Sequence, residues 1–243
     1  MRRRTVRVRS KQEIVTARLG VSNAHLILGR RCVLVDTGNP GNGTGLLRQA
    51  EESGIGPEDI SLILLTHGHV DHFGSAAWLR ERTGAPIAIH ERDAGALRAG
   101  RNPKLNPTGL SGRLWRPFFG QQVPSCEPDI TFDEEIDLEE FGVEGTIIST
   151  PGHTGGSVSV RTPGGTMIAG DLLMGGYMGG NLLPHRPAFH YFAEDLDQVR
   201  HSLRELLRLE PQEILVGHGG PLLPADVARR GLASQRSAER ARE

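Results

Sequence analysis

The sequence predicts an α/β fold in which two β-sheets pack together and helices cover their outer faces. Short apolar or β-branched runs bounded by turn residues occur near the start of the chain and again after residue 145, with helical segments between and after them. Gly and Pro are abundant, at 32 and 15 of 243 residues, and indicate many turns. We expect one domain over residues 1–243, with irregular insertions at about 100–128 and 173–192.

The elements of the first third follow from local patterns. Apolar and β-branched runs predict strands at residues 14–19, 24–28 and 32–36. Leucines at helical spacing predict a helix over residues 44–53, which Gly54 ends. The continuous apolar run at residues 61–66 predicts a strand that is buried on both faces.

The remaining elements are predicted by the same patterns. Helices are expected at residues 76–82, 91–98, 196–209 and 225–243. Strands are expected at residues 86–90, 145–150, 157–162, 166–169 and 213–216. The two insertions show no periodicity, and at their length they are typical of functional loops or lids.

Composition excludes several classes of protein. The formal net charge of -1 argues against a nucleic-acid-binding protein, which needs a basic excess. The basic N-terminus is followed by no apolar stretch, so it does not resemble a signal peptide, and no apolar window is long enough to span a membrane. Two cysteines, Cys32 and Cys126, cannot form a disulfide framework, and reduced cysteines suit a cytoplasmic protein.

The most specific motif is His67-Gly68-His69-Val70-Asp71-His72, which directly follows a predicted buried strand. Two histidines at i and i+2 in an extended chain project to the same side, so one metal ion can bind both. Asp71 and His72 are adjacent and diverge, so they can approach a second metal beside the first. Imidazole and carboxylate groups suit zinc, iron and related ions.

Three further candidates lie at or near strand ends and have glycine neighbours. His153 lies in the loop before a predicted strand, Asp171 follows the strand at 166–169, and His218 follows the strand at 213–216. Small neighbours allow the backbone to approach an ion or a substrate closely.

Together these positions resemble the metallo-β-lactamase superfamily. The motif at 67–72 is followed by His153, Asp171 and His218 in the family's order, and Asp36 matches an acidic residue that the family has at the end of an early strand. The resemblance runs from about residue 22 to residue 221. It implies an αββα four-layer sandwich of two mixed β-sheets with helices outside, and it is much less specific for the substrate.

The resemblance implies a role for each position. His67, His69 and His153 would hold one metal ion, Asp71, His72 and His218 would hold a second, and Asp171 would bridge the two. A metal-bridging hydroxide would act as the nucleophile, and Asp71 would orient it or accept a proton. Asp36 would hydrogen-bond a ligand imidazole, although an ordinary strand-end carboxylate remains the alternative. No second-metal position is a cysteine, so the site is closer to those of glyoxalase II and the lactonases.

The irregular stretches hold seven of the eleven aromatic residues, which is unusual for loops. One interpretation is that these loops cover the metal site and line an apolar pocket; the other is that the aromatics pack the loops down or form a homodimer interface. The substrate-pocket candidates are Trp115, Phe118, Phe119, Tyr177, His190 and Tyr191. Basic residues in the first loop could meet an anionic substrate, but a solvated loop is the simpler interpretation.

The favoured function is a dinuclear metal-dependent hydrolase that cleaves an ester, lactone, thioester or amide bond in a partly apolar small molecule. The expected cofactors are two divalent ions, with zinc favoured and iron or manganese as alternatives. An iron-dependent oxidoreductase of the same superfamily, similar to the persulfide dioxygenases, is the second hypothesis. A non-catalytic metal-binding protein is the third.

Overall fold

The structure is a computed structural model that describes residues 12–234. The N-terminal segment considered as a signal peptide lies outside the described residues. So do residues 235–243 of the helix predicted at 225–243. Within the described residues that helix covers only Pro224–Arg229, and the chain then turns at residues 230–233, so the predicted helix is too long.

The first sheet has six strands. In chain order they are β1 (Glu13–Arg18), β2 (Asn23–Leu28), β3 (Cys32–Val35), β4 (Ile60–Leu65), β5 (Ile87–His90) and β6 (Ile130–Phe132). Strands β1 to β3 are antiparallel, whereas β3 to β6 are parallel, so the sheet is mixed. Parallel pairing places the carboxyl ends of β3 and β4 at one edge of the sheet.

The second sheet has the order β13-β10-β9-β8-β7. Its strands are β7 (Ile136–Asp137), β8 (Thr146–Ser149), β9 (Val158–Arg161), β10 (Thr166–Ile168) and β13 (Glu213–Leu215). Strands β10 and β13 are parallel and the other pairs are antiparallel. The carboxyl ends of β10 and β13 therefore also share an edge.

The helices vary in length. In chain order they are α1 (Gly43–Glu52), α2 (Val70–Phe73), α3 (Ala76–Thr83), α4 (Ala94–Ala99), α5 (Leu110–Trp115), α6 (Leu196–Arg208) and α7 (Pro224–Arg229). The longest of these, α6, has 13 residues and is capped at its N-terminus by Asp195, whose carboxylate accepts hydrogen bonds from the backbone N–H groups of Asp197 and Gln198. In the part of the chain that is described, no helix is long and apolar enough to cross a membrane.

Strand β4 shows how the four layers arise. Ile63 and Leu65 join an apolar cluster with helices α1, α3 and α4, whereas Leu62 and Leu64 join a second cluster that lies between the two sheets. Successive side chains of a strand point to opposite faces, so a strand in which every residue is apolar can pack against both neighbouring layers. A third cluster packs α6 and α7 against the second sheet. This αββα arrangement of two mixed sheets confirms the predicted fold.

The structure differs from the sequence-based prediction in the irregular stretches. Residues 173–192 contain a hairpin of β11 (Met174–Tyr177) and β12 (Leu182–Ala188), and residues 100–128 contain helix α5. Strands β6 and β7, with three and two residues, were also not predicted. Pro184 and Pro187 explain why the sequence pattern does not predict β12, because proline is atypical of strands except at edges.

Candidate metal centre

The motif at 67–72 changes conformation at His69. The chain leaves β4 in an extended conformation, so His67 and His69 project together, with ring centroids 4.8 Å apart. His69 is itself extended and precedes the single helical turn of α2. That turn brings the ring of His72 to 4.2 Å from that of His67.

Three side chains reach this motif from the second sheet. Asp171 follows β10, His218 follows β13, and His153 lies in the loop between β8 and β9. The site thus forms where the carboxyl ends of strands from both sheets meet, which is a common location for functional sites in α/β proteins.

The carboxylate of Asp171 is the centre of the cluster. Its Oδ2 atom lies 3.2 Å from Nε2 of His218 and 3.5 Å from Nε2 of both His72 and His153. Nε2 of His67 is 3.7 Å away. All these side chains are almost fully buried.

The seven side chains singled out in the sequence form two groups of potential ligands. One group is His67, His69, His153 and Asp171, and the other is Asp71, His72 and His218. Within each group the ligand atoms lie within 4.8 Å of one another. These clusters fit a divalent metal site.

Hydrogen bonds at Nδ1, the outer ring nitrogen that faces away from Asp171, orient the imidazoles of His153 and His218. Nδ1 of His153 lies 2.9 Å from the carbonyl oxygen of Phe192, and Nδ1 of His218 contacts the carbonyl oxygen of Val21. In both rings Nε2 is therefore directed at Asp171. A protonated outer nitrogen leaves the inner lone pair free for a cation, as is usual for metal-binding histidines.

Asp36 orients His72 in the same way. One of its carboxylate oxygens lies 2.9 Å from Nδ1 of His72, and the carboxylate also accepts hydrogen bonds from the backbone N–H and the hydroxyl of Thr66, each at 2.8 Å. Asp36 has a φ of +62°, which is unusual for a residue other than glycine. The structure thus places Asp36 beside a candidate ligand and against the backbone between β4 and His67.

Two buried atoms at the centre have no hydrogen-bond partner within the described residues: Nε2 of His67 and Oδ1 of Asp171. An unpaired buried polar atom is costly, so such atoms need an explanation. Both belong to the same group of potential ligands. A bound cation would satisfy both of them, and the donor set therefore fits a metal ion.

Burial controls the protonation of the first group. It lowers the pKa of His69 and of His153 to about 3, and it lowers the pKa of His67 well below its usual value. These imidazoles are therefore neutral near pH 7. Neutral imidazole is the form that binds metal ions.

In the second group, neighbouring carboxylates stabilise the protonated, positively charged forms of His72 and His218. Burial alone would lower the pKa of His72, but the carboxylates of Asp171, Asp36 and Asp71 outweigh it and raise that pKa well above its usual value. The pKa of His218 is raised in the same way against the effect of burial, mainly by Asp171. Carboxylates that stabilise a cationic imidazole would also stabilise a divalent cation.

Sequence analysis missed Asp93, a buried carboxylate at the end of the 3₁₀ turn that follows β5. It accepts hydrogen bonds from the backbone N–H of Gly68 at 2.7 Å, the hydroxyl of Thr154 at 2.6 Å and the backbone N–H of Gly156 at 3.0 Å. Gly68 lies between two candidate ligands, and Thr154 follows a third. Asp93 therefore connects the two loops of the first group, and no sequence motif marks it.

Replacing Asp93 with asparagine should weaken metal binding about tenfold. An amide nitrogen would face N–H donors in place of a carboxylate oxygen, so at least one hydrogen bond would be lost. The dissociation constant for zinc, measured by competition with a chelator, tests this prediction. Glu91→Gln, at an exposed position in the same turn, is the matched control. Equal zinc affinity in Asp93→Asn and Glu91→Gln would contradict a positioning role.

A cavity of about 830 Å³ opens over the second group, and Asp71 and His218 form part of its wall. Five of the six predicted pocket residues line it: Trp115, Phe118, Phe119, His190 and Tyr191. Tyr177 is not among the lining residues, and its ring lies 5.5 Å from the guanidinium of Arg186. Both irregular stretches thus contribute to the cavity.

Some loop aromatics instead pack the loops down. Phe192 is buried and its ring lies 5.3 Å from that of Phe119, while the ring of Phe189 lies under the guanidinium of Arg200 on α6. Some aromatic rings of the loops thus line the cavity, whereas others pack within the loops or against α6.

His190 lies closer to the candidate ligands than its sequence context indicated. Its Nε2 is 3.5 Å from Oδ2 of Asp171, and its ring stacks on that of His218 with centroids 5.1 Å apart. Together with Asp171 and His218 it forms a third group that could hold a metal ion. Burial lowers its pKa to about 3. The side chain is thus a neutral imidazole at the boundary between the ligand cluster and the cavity.

The fold and the clustered donors define an αββα protein with a candidate divalent metal site. The family model of the metallo-beta-lactamase superfamily matches residues 17–218, and the chain belongs to this superfamily. It is 30% identical over 203 residues to the probable metallo-hydrolase MJ0888 of Methanocaldococcus jannaschii, covering 82% of this chain and 87% of that protein. It is 28% identical over 200 residues to the probable metallo-hydrolase YflN of Bacillus subtilis, covering 78% and 76%.

Solved structures agree with this assignment. TTHA1623 in a di-iron-bound form superimposes with a TM-score of 0.63 at 30% identity, covering 88% of this chain and 96% of that one. The BLEG-1 B3 metallo-beta-lactamase superimposes with a TM-score of 0.66 at 21% identity, covering 89% and 97%. The second similarity is one of fold alone.

Proposed function

We propose that the protein is a dinuclear metal-dependent hydrolase that cleaves an ester, lactone, thioester or amide bond. The observation that carries this proposal is the position of Asp171, which belongs to the first group of potential ligands while its Oδ2 also lies 3.5 Å from His72 and 3.2 Å from His218 of the second. His67, His69 and His153 would hold one ion and Asp71, His72 and His218 the other, with Asp171 contacting both. When bound, the ions would activate a water molecule at neutral pH and polarise the acyl carbonyl.

Asp71 is the carboxylate that a substrate can reach. Its side chain is 14% exposed and lines the cavity, whereas that of Asp171 is 1% exposed. We assign to Asp71 the orientation of the attacking water and the acceptance of its proton. Asp36 would hold the ring of His72 in place through their hydrogen bond.

The cavity supports a substrate with a substantial apolar part. Aromatic and aliphatic side chains form much of its wall, including Trp115, Phe118, Met174 and Met178. A volume of about 830 Å³ is in the usual range for sites that bind small organic molecules.

Hydrolysis of a panel of lactones, esters, thioesters and β-lactams by protein of known metal content tests the proposal. We expect turnover of at least one class, complete loss after removal of the metal by a chelator, and recovery on adding two equivalents of zinc. Full activity in metal-free protein would contradict the metal mechanism. Binding of metal with no turnover would favour a non-catalytic protein.

The di-iron-bound form of TTHA1623 leaves the identity of the metal open, and with it an iron-dependent alternative. An oxidoreductase would require iron in the purified protein and would consume oxygen with a persulfide substrate. Metal analysis combined with oxygen uptake distinguishes this function from hydrolysis. Two zinc ions per chain and no oxygen uptake are expected.

Trp115→Ala should raise KM for long acyl substrates more than for short ones. The indole lines the cavity, so its removal takes away apolar surface that only a long chain would contact. Leu114→Ala is a suitable control, because Leu114 is 67% exposed and is not among the lining residues. KM measured for butanoyl and decanoyl esters tests this; equal effects on both would contradict a pocket role for Trp115.

A further inference from the structure

We propose that this cavity selects acyl substrates that carry no negative charge away from the bond being cleaved. The inference rests on the proposed hydrolase function and adds the charge class of the substrate. Its basis is the chemistry of the cavity wall, which combines apolar side chains with neutral amides and holds no lysine or arginine among its described lining residues.

The polar part of the wall consists mainly of amides. These are Asn39, Asn102, Gln121, Gln122 and Asn181. Among the described lining residues, Asp71 is the only aspartate, glutamate, lysine or arginine, and it is a candidate metal ligand. An anionic group in this cavity would therefore leave water without gaining a cationic partner from the wall, which costs free energy.

Two of these amides hold the wall together. Asn102 accepts a hydrogen bond from the backbone N–H of Val70 at 2.7 Å and donates one to the carbonyl of Phe119 at 2.9 Å. Asn181 donates hydrogen bonds to the carbonyls of Gly20 and Met178. The first connects the loop at 100–128 to the metal motif, and the second fixes the turn of the β11–β12 hairpin.

The other three amides are available to a ligand. Among the described residues, the side chains of Asn39, Gln121 and Gln122 have no hydrogen-bond partner. An amide offers both a donor and an acceptor but no charge, so it suits a neutral carbonyl, hydroxyl or amide group. The wall can thus satisfy neutral polar groups of a substrate, and its apolar part can cover the rest.

The basic residues in and beside the first loop add no cationic group to the cavity wall. Arg98 pairs with the carboxylate of Glu127 at 2.8 Å. The others are Arg101, Lys104, Arg113 and Arg116, and none of them lines the cavity. In the metal-loaded site, where the ligand imidazoles are neutral, the metal ions would supply the positive charge. An anion that reached them would compete with the attacking water and would act as an inhibitor.

The test uses three esters of equal chain length: 4-nitrophenyl octanoate, the 4-nitrophenyl monoester of suberic acid, and the mixed 4-nitrophenyl methyl diester of suberic acid. The second and third differ in charge at the far end of the chain. With zinc-loaded protein at pH 7.5, we expect kcat/KM for the free acid to be at least about tenfold lower than for the methyl ester.

A charge added to the wall supplies the second part of the test. Gln122 is exposed at the cavity, and among the described residues its side chain has no hydrogen-bond partner to lose. Gln122→Lys should therefore raise the ratio of kcat/KM for the free acid to kcat/KM for the methyl ester at least about threefold. Gln122→Met, which is of similar size and uncharged, is the matched control and should not favour the acid.

The outcomes distinguish the two proposals. If the free acid is cleaved as well as the methyl ester, or if Gln122→Lys leaves their ratio unchanged, the charge selection is wrong while the hydrolase proposal stands. If the zinc-loaded protein cleaves none of the esters, lactones or thioesters, the hydrolase proposal is wrong, and the proposed charge selection is then wrong as well.

Discussion

Asp171→Asn is expected to lower kcat/KM by at least about 10²- to 10³-fold, a loss typical of removing one group that stabilises the transition state electrostatically. The Oδ2 atom of Asp171 lies within 3.7 Å of the inner nitrogens of His67, His72, His153 and His218. It is the group best placed to contact both ions. Asparagine has nearly the same shape but removes the negative charge that would hold the two cations close together.

Three measurements test this prediction. Metal content should fall below two equivalents per chain, kcat/KM should fall by the stated factor, and the far-ultraviolet circular dichroism of the variant should stay unchanged. Asp197→Asn is the matched control, because the Asp197 side chain is 81% exposed and forms only a surface ion pair with Arg200. Wild-type metal content and turnover in Asp171→Asn would contradict the bridging role.

Gly217→Ala is expected to lower activity by about 10²-fold through geometry alone, without removing any ligand. A Cβ atom at this position would overlap Oδ1 of Asp171 and lie 2.5 Å from Cε1 of His72. The backbone cannot easily retreat, because the N–H of Gly217 donates to Gly170 at 2.8 Å and its carbonyl accepts from Asn23 at 2.7 Å. The side chains of Asp171 and His72 must therefore move away from the added Cβ atom and out of their positions in the cluster.

Gly45→Ala provides the comparison, since a Cβ there meets nothing within 4 Å and the residue lies in helix α1. It should leave activity unchanged and stabilise the protein slightly, because alanine favours helix more than glycine does. Activity measurements and urea denaturation of both variants separate the effects. Unchanged turnover in Gly217→Ala would show that the positions of Asp171 and His72 matter less than we infer.

The layered core could be predicted from the sequence because the signals are local and repeated. The apolar run of β4 has no polar face, which is possible only for a strand covered on both sides, and the structure places it between the helices and the second sheet. Helix α6 shows apolar residues at helical spacing over its whole length, and its observed bounds differ from the prediction by one residue.

The short elements could not be predicted for physical reasons. Strand β12 contains two prolines, and β6 and β7 span three and two residues, too few for a period to emerge. Strand β6 also depends on a partner that is distant in the sequence, because Ile130 pairs with Ala88 of β5.

Some residues of the candidate site could likewise be predicted from the sequence, and others could not. The spacing of His67, His69, Asp71 and His72 reveals potential ligands, because the motif is dense and follows a buried strand. Asp93 and the position of His190 carry no such signal. Their roles depend on tertiary contacts, namely the hydrogen bonds of Asp93 to two separate loops and the stacking of His190 on His218.

Two ions are expected to bind around Asp171, and anomalous diffraction from a crystal of zinc-loaded protein would locate them. Data collected on either side of the zinc absorption edge should show two peaks, one among His67, His69 and His153 and the other among Asp71, His72 and His218. A single peak, or zinc bound only at other side chains, would contradict the claim.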